Sequence, residues 1–84
     1  MRYHDQAELR EELERLRRRR RSVRPQALHR ILSRAGFTRR YGKGDHWVYR
    51  HPDLHGRRLV VDPRNPLLPA YVTKAMRALE EVLE

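Results

Sequence analysis

The sequence predicts a small α+β domain with the element order αβββα, preceded by one additional helix. Two apolar patterns of helical spacing flank the middle of the chain, one within residues 25–35 and one within residues 72–83. Between them lie three short runs of strand composition, separated by turns that contain glycine or proline. This order predicts a three-stranded antiparallel sheet that two helices cover on one face, with the other face open.

The additional helix is predicted over residues 6–20. Asp5 and Glu8 have the spacing of a capping box at its start. Its apolar stripe consists of Leu9, Leu13 and Leu16. Because three leucines form only a narrow stripe, this helix docks on the rest of the chain, pairs with a second copy in a homodimer, or frays. We treat residues 1–23 as an N-terminal helical extension and residues 24–84 as the main domain.

The elements of the main domain follow from local signals. Pro25 suits the first turn of a helix, and Gly36 suits the position just after its end. Strands are predicted at residues 37–41, 46–50 and 58–62. Three prolines then form a stiff connection to the last helix, whose apolar residues are Val72, Ala75, Met76, Leu79, Val82 and Leu83. Trp47 and Tyr49 share one strand face, and we expect that face to lie under the helices.

Composition excludes several classes of protein. The 84 residues are enough for one small domain, and without cysteine the chain has neither disulfides nor a thiolate metal site. There is no apolar run of membrane-spanning length and no signal-peptide pattern, so we expect a cytoplasmic protein that does not enter a membrane. The spacing of His46, His51, Asp53 and His55 fits no strong metal motif. We therefore expect neither a metal nor another cofactor.

The charge is concentrated in the centre of the chain. The net charge is +9, but residues 15–64 contain 16 Lys or Arg against three Asp or Glu. A basic centre between acidic ends favours a polyanion such as RNA, or an acidic protein, as the partner. The arginine run at residues 17–21 is consistent either with a solvated helix end or with an RNA clamp.

The glycine-containing turn before the second predicted strand carries the most informative chemistry. Lys43 and Gly44 precede His46, which would begin the strand, and Arg50 would share its strand face. Arg39 or Arg40 could join them from the neighbouring strand. Histidine titrates near neutral pH and suits acid or base catalysis, while cations and backbone N–H groups stabilise a phosphorane. The alternative is an ordinary hairpin turn with a surface histidine.

These pieces together resemble the HicA-type, YcfA-like toxin family of bacterial messenger-RNA interferases. The resemblance covers about two-thirds of the chain. It rests on Ala35-Gly36-Phe37, Arg39-Arg40, Lys43-Gly44-x-His46, Tyr49-Arg50-His51-Pro52 and Tyr71-Val72. It implies a fold like that of double-stranded-RNA-binding domains, metal-independent cleavage of messenger RNA by a histidine matching His46, and a HicB-type antitoxin as partner.

The chain departs from the family pattern at two places. Asp45 stands where the family usually has serine, and Pro63-Arg64-Asn65 stands where many relatives carry a second histidine. Both departures concern catalysis rather than the fold. The second hypothesis is therefore a non-catalytic module of the same fold that binds RNA or docks a protein. A DNA-binding helix-turn-helix is disfavoured because the helices flank strands rather than each other.

Overall fold

Three α-helices and one three-stranded antiparallel sheet make up residues 6–83, the part of the chain that this computed structural model describes. The predicted αβββα order with an additional N-terminal helix is confirmed. The helices are α1 (Gln6–Arg18), α2 (Pro25–Arg34) and α3 (Pro69–Val82). The strands are β1 (Thr38–Tyr41), β2 (Trp47–Arg50) and β3 (Leu59–Val61). No helix within residues 6–83 is long and apolar enough to cross a membrane.

Helix α1 ends two residues earlier than the sequence pattern predicts. The N–H of Arg19 is shared between the carbonyls of Arg15 at 3.0 Å and Leu16 at 3.2 Å, which tightens the last turn. Arg19 then leaves helical geometry, and a short 3₁₀ turn follows at Arg20–Ser22. Much of the arginine run is therefore a connector rather than a helix. Asp5, the predicted cap, lies outside the described residues.

Helix α1 docks on the body of the chain through its leucine stripe. Leu9, Leu13 and Leu16 are all buried and belong to the same core as the main domain. Polar contacts to α3 surround the stripe. The Arg17 guanidinium lies 2.9 Å from a Glu80 carboxylate oxygen, and Arg20 donates to the Thr73 hydroxyl at 3.2 Å. Of the three arrangements open from the sequence, docking is the one observed, so the stripe is already covered within one chain.

The sheet has the order β1-β2-β3 and presents two different faces. On the face under the helices, Tyr49 pairs with Arg39 on one side and with Leu59 on the other. Tyr49 is fully buried and Trp47 packs against the core, which confirms the expectation for both aromatics. The opposite face carries residues that are exposed or half-buried, namely Thr38, Arg40, Val48, Arg50 and Val60.

A buried histidine joins the end of the second strand to the end of α2. His51 Nε2 lies 3.0 Å from the Ala35 carbonyl oxygen, and the Asp53 backbone N–H donates to Nδ1 at 3.0 Å. Because a carbonyl only accepts, Nε2 carries the proton and Nδ1 is the acceptor. His51 is thus a structural residue that fixes the loop after β2.

Candidate nucleic-acid interface at the 42–46 turn

The turn between β1 and β2 is closed by backbone hydrogen bonds. The Gly42 N–H donates to the His46 carbonyl at 2.8 Å, and the His46 N–H donates to the Gly44 carbonyl at 2.9 Å. Gly44 has a φ of +58°, in the left-handed region that favours glycine. A Cβ on Gly42 would lie 2.7 Å from Val48 Cγ2, so this position also favours glycine.

His46 immediately precedes β2 rather than occupying its first position. Its N–H is used inside the turn, so the ladder of the sheet begins at Trp47, which pairs with Tyr41. The strand therefore begins one residue later than predicted. The side chain of His46 is positioned by the turn itself, within reach of the turn carbonyls.

The imidazole of His46 is held by the backbone of the same turn. Its Nδ1 lies 3.2 Å from the Lys43 carbonyl oxygen, and the side chain is half-exposed. Because the carbonyl can only accept, this hydrogen bond requires the proton on Nδ1. In the neutral imidazole, Nε2 is then the nitrogen that carries the lone pair. A histidine in this tautomer is suited to accept a proton from a ligand hydroxyl.

Three of the predicted phosphate-binding cations lie in the same hairpin as this histidine and have no carboxylate partner among the described residues. Arg40 and Arg50 are exposed on the open face, where Arg40 pairs with Val48. Lys43 is exposed in the turn. Within residues 6–83, no carboxylate forms a salt bridge with any of these three side chains. Their charges are therefore available to neutralise a phosphate backbone.

Arg39 is separated from the other predicted site residues. It pairs with Tyr49 on the face under the helices, whereas Arg40 lies on the opposite face. Its guanidinium carbon lies 4.4 Å from the centre of the Trp47 ring and 5.3 Å from the centre of the Tyr41 ring. Arg39 is thus a stacked cation beside the helices rather than a member of the open face.

The structure also reveals a polar cluster that the sequence analysis missed. His29 on α2 lies 2.8 Å from the Tyr49 hydroxyl through Nδ1 and 3.4 Å from the Ser33 hydroxyl through Nε2. Burial raises the pKa of Tyr49 to about 12, and burial together with the Arg39 charge lowers the pKa of His29. The sequence did contain one signal for this contact. A buried tyrosine hydroxyl requires a hydrogen-bond partner, and His29 lies beside the apolar stripe of the helix that covers the sheet.

Asp45 stays apart from the histidine that follows it. Its side chain is exposed, and within residues 6–83 it forms neither a hydrogen bond nor an ion pair. It therefore does not polarise the His46 ring by direct contact. The same part of the chain contains no group of three or more His, Cys, Asp or Glu residues arranged to hold a metal ion.

No family model, no curated protein and no solved structure matches this chain. The resemblance to HicA-type toxins therefore depends on the motifs of the chain itself.

Proposed function

We propose that this protein is a metal-independent endoribonuclease that cleaves messenger RNA in the cytoplasm and acts as the toxin of a type II toxin–antitoxin pair. The observation that carries the proposal is the Nδ1 hydrogen bond of His46 to the Lys43 carbonyl at 3.2 Å. In the neutral ring it puts the lone pair on Nε2, in a hairpin whose exposed cations have no carboxylate partner among residues 6–83. The resemblance to HicA-type toxins supports the same assignment.

The reaction follows from the chemistry of the RNA backbone. His46 Nε2 removes the proton of a ribose 2′-hydroxyl, and the 2′-oxygen attacks the adjacent phosphorus. A new P–O2′ bond forms, the P–O5′ bond breaks, and the leaving 5′-oxygen takes a proton from water. The products are a 2′,3′-cyclic phosphate and a 5′-hydroxyl. DNA lacks the 2′-hydroxyl, so this reaction selects RNA.

The surrounding residues provide electrostatic stabilisation for the attack. Negative charge accumulates on the non-bridging oxygens of the phosphorane, and fixed cations lower its energy. Lys43 lies in the same turn as Asp45 and His46. Arg40 and Arg50 extend the positive surface over the open face. The Gly44 backbone, which has no side chain in the way, lets a phosphate approach the turn closely.

The open face also suits the proposed protein partner. A HicB-type antitoxin with an acidic surface would bind Arg40 and Arg50 and cover His46, which blocks both the base and the phosphate contacts. The partner would therefore inhibit by competition for one surface.

A non-catalytic module of the same fold is the second candidate, and one observation favours it. Asp45 is exposed next to His46 and would repel a phosphate brought to the turn. Such a module would use the same cations to bind RNA or an acidic protein without cutting.

Expression in bacteria separates the two candidates. We expect wild-type protein to arrest growth and degrade messenger RNA, and a folded His46→Ala variant to do neither. Co-expression of an acidic antitoxin from a neighbouring reading frame should restore growth. If wild-type protein leaves growth and RNA unchanged, the non-catalytic module is the correct function.

A further inference from the structure

A stacked aromatic cluster lies beside the His46 turn on the face under the helices. Arg39 is placed over both Trp47 and Tyr41, and its Nη2 is 3.4 Å from the Tyr41 hydroxyl. Trp47 packs against the core and is supported by the His29 ring at 5.9 Å. Trp47, the Arg39 guanidinium and Tyr41 thus form a stack that leads from the core to the surface, and the His29 ring contacts Trp47 edge-on.

The outer end of this stack is open. Tyr41 as a residue is 74% exposed, and Arg39 lies over one face of its ring. The other face is therefore accessible to a flat ligand. A ring held in place by a stacked cation is a better platform than a freely rotating one, because less conformational freedom is lost on binding.

One nitrogen of the Arg39 guanidinium, Nη1, lacks a hydrogen-bond acceptor within the described chain. Nη1 is buried, and within residues 6–83 no carboxylate forms a salt bridge with the guanidinium. A buried N–H group without an acceptor is destabilising. The position of the guanidinium is therefore set by its stacking on the Trp47 and Tyr41 rings.

The position of Tyr41 relates this platform to the proposed nuclease site. Tyr41 pairs with Trp47, and the neighbouring residues on the turn side of this pair are Gly42 and His46, joined by the 2.8 Å hydrogen bond. Tyr41 and His46 are thus one step apart in the same hairpin. By alternation they belong to opposite faces, so a strand passing over the hairpin tip would meet both.

We propose that Tyr41, backed by Arg39 and Trp47, stacks an unpaired base of single-stranded RNA next to the phosphate at His46. This proposal rests on the proposed function and adds the conformational state of its substrate. A base in a duplex is already stacked on its neighbours and paired, so it cannot lie on the Tyr41 ring. The subsite thus selects single-stranded over double-stranded RNA.

The test measures RNA affinity in the full chain carrying His46→Ala, which prevents cleavage during the assay. Fluorescently labelled single-stranded RNA and a duplex of the same sequence are titrated with the parent, with Tyr41→Leu and with Tyr41→Phe. Leu68→Ala, at the other exposed large apolar residue of the described chain, is the matched control. Trp47 is the only tryptophan, so its fluorescence reports on the stack directly.

We expect Tyr41→Leu to bind single-stranded RNA about tenfold more weakly, as base–aromatic stacking requires, with an unchanged salt dependence. Tyr41→Phe and Leu68→Ala should bind like the parent, and duplex affinity should not respond to any of the substitutions. Single-stranded RNA should quench Trp47 emission, whereas inorganic phosphate should not.

Two results would overturn the subsite. One is a Tyr41→Leu variant that binds single-stranded RNA as the parent does, or that loses single-stranded and duplex affinity equally. The other is quenching by inorganic phosphate to the same extent as by RNA, which would indicate a simple anion site. Loss of cleavage in His46→Ala with no effect at Tyr41 would reject the subsite alone. Tyr41-dependent binding by a wild-type protein that cuts no RNA would reject the nuclease alone.

Discussion

The carboxylate of Asp45 opposes the proposed use of the 42–46 turn. It is exposed, lacks an ion pair within the described chain, and precedes the histidine that must approach a phosphate. We expect Asp45→Ser to raise RNA affinity and cleavage severalfold at low salt, because a like charge is removed from the site. The gain should shrink in 0.5 M salt, where exposed charges are screened. A decrease in cleavage at low salt would show instead that Asp45 assists the reaction.

Gly44 offers a matched test of how the turn positions His46. Gly44 and Gly56 have φ values of +58° and +87°, so alanine is strained at either position and should cost about 1 kcal/mol of stability. An added Cβ at Gly44 would lie 3.8 Å from His46 Nδ1, an ordinary van der Waals distance, and would occupy the side of the turn that the proposed phosphate approaches, whereas at Gly56 it would contact nothing within 4 Å. We therefore expect only Gly44→Ala to reduce RNA cleavage. Equal loss of cleavage in both variants would mean that stability alone is responsible.

His29 makes the stability of the fold depend on pH. Burial and the Arg39 charge lower its pKa in the folded state, whereas the unfolded chain takes up the proton near its ordinary value of about 6.5. Protonation below that pH therefore favours the unfolded chain, and stability is lost as pH falls. We expect urea midpoints to fall between pH 7.5 and 5.5, and to fall less in His29→Gln. If the urea midpoint of His29→Gln falls with pH as steeply as that of the wild-type protein, His29 does not have this role.

Helix α1 is an integral part of the core rather than an appendage. Its three leucines are buried, and its Arg17 forms an ion pair with Glu80 of α3. The Arg10 guanidinium also donates to the Leu83 carbonyl after the end of α3, where positive charge is favourable. The extension predicted at residues 1–23 thus contributes, from residue 6 onward, to the same folded unit as the rest.

Truncation of the leucine stripe measures that contribution. Leu13→Ala removes a buried side chain and leaves a cavity, so we expect a loss of about 2–5 kcal/mol in the free energy of unfolding. Chemical denaturation monitored by Trp47 fluorescence and by circular dichroism should show one coincident transition. A loss below about 0.5 kcal/mol would indicate that α1 frays instead of docking on the rest of the chain.

The element order was predictable because helical and strand periodicities differ clearly in this chain. The apolar stripe of α3 predicted the last helix, and glycine and proline residues marked the turns between elements. The alternation of β2 predicted that Trp47 and Tyr49 lie under the helices. Boundaries were less predictable. The end of α1 and the start of β2 depend on which carbonyls the Arg19 and His46 N–H groups find, and composition does not specify that.

The candidate site was only partly predictable for the same reason. Strand alternation distinguishes Arg40 from Arg39, but the register pairs Arg39 with Tyr49, and only side-chain packing shows that its guanidinium lies over Trp47. The hydrogen bond from His46 to the Lys43 carbonyl depends on turn geometry, which residue spacing alone does not define. The contact between His29 and Tyr49 joins residues 20 apart in the chain and requires the packing of α2 on the sheet.

The central proposal is that His46 and the exposed cations of the open face cut RNA without a metal. The most direct measurement is cleavage of end-labelled single-stranded RNA in EDTA by purified wild-type protein, by His46→Ala, and by His55→Asn as a control at another exposed histidine. We expect wild-type and His55→Asn proteins to yield 2′,3′-cyclic phosphate ends, and folded His46→Ala to cleave at least about 100-fold more slowly. Cleavage by His46→Ala at the wild-type rate, or intact RNA with the wild-type protein, would contradict metal-independent RNA cleavage by His46.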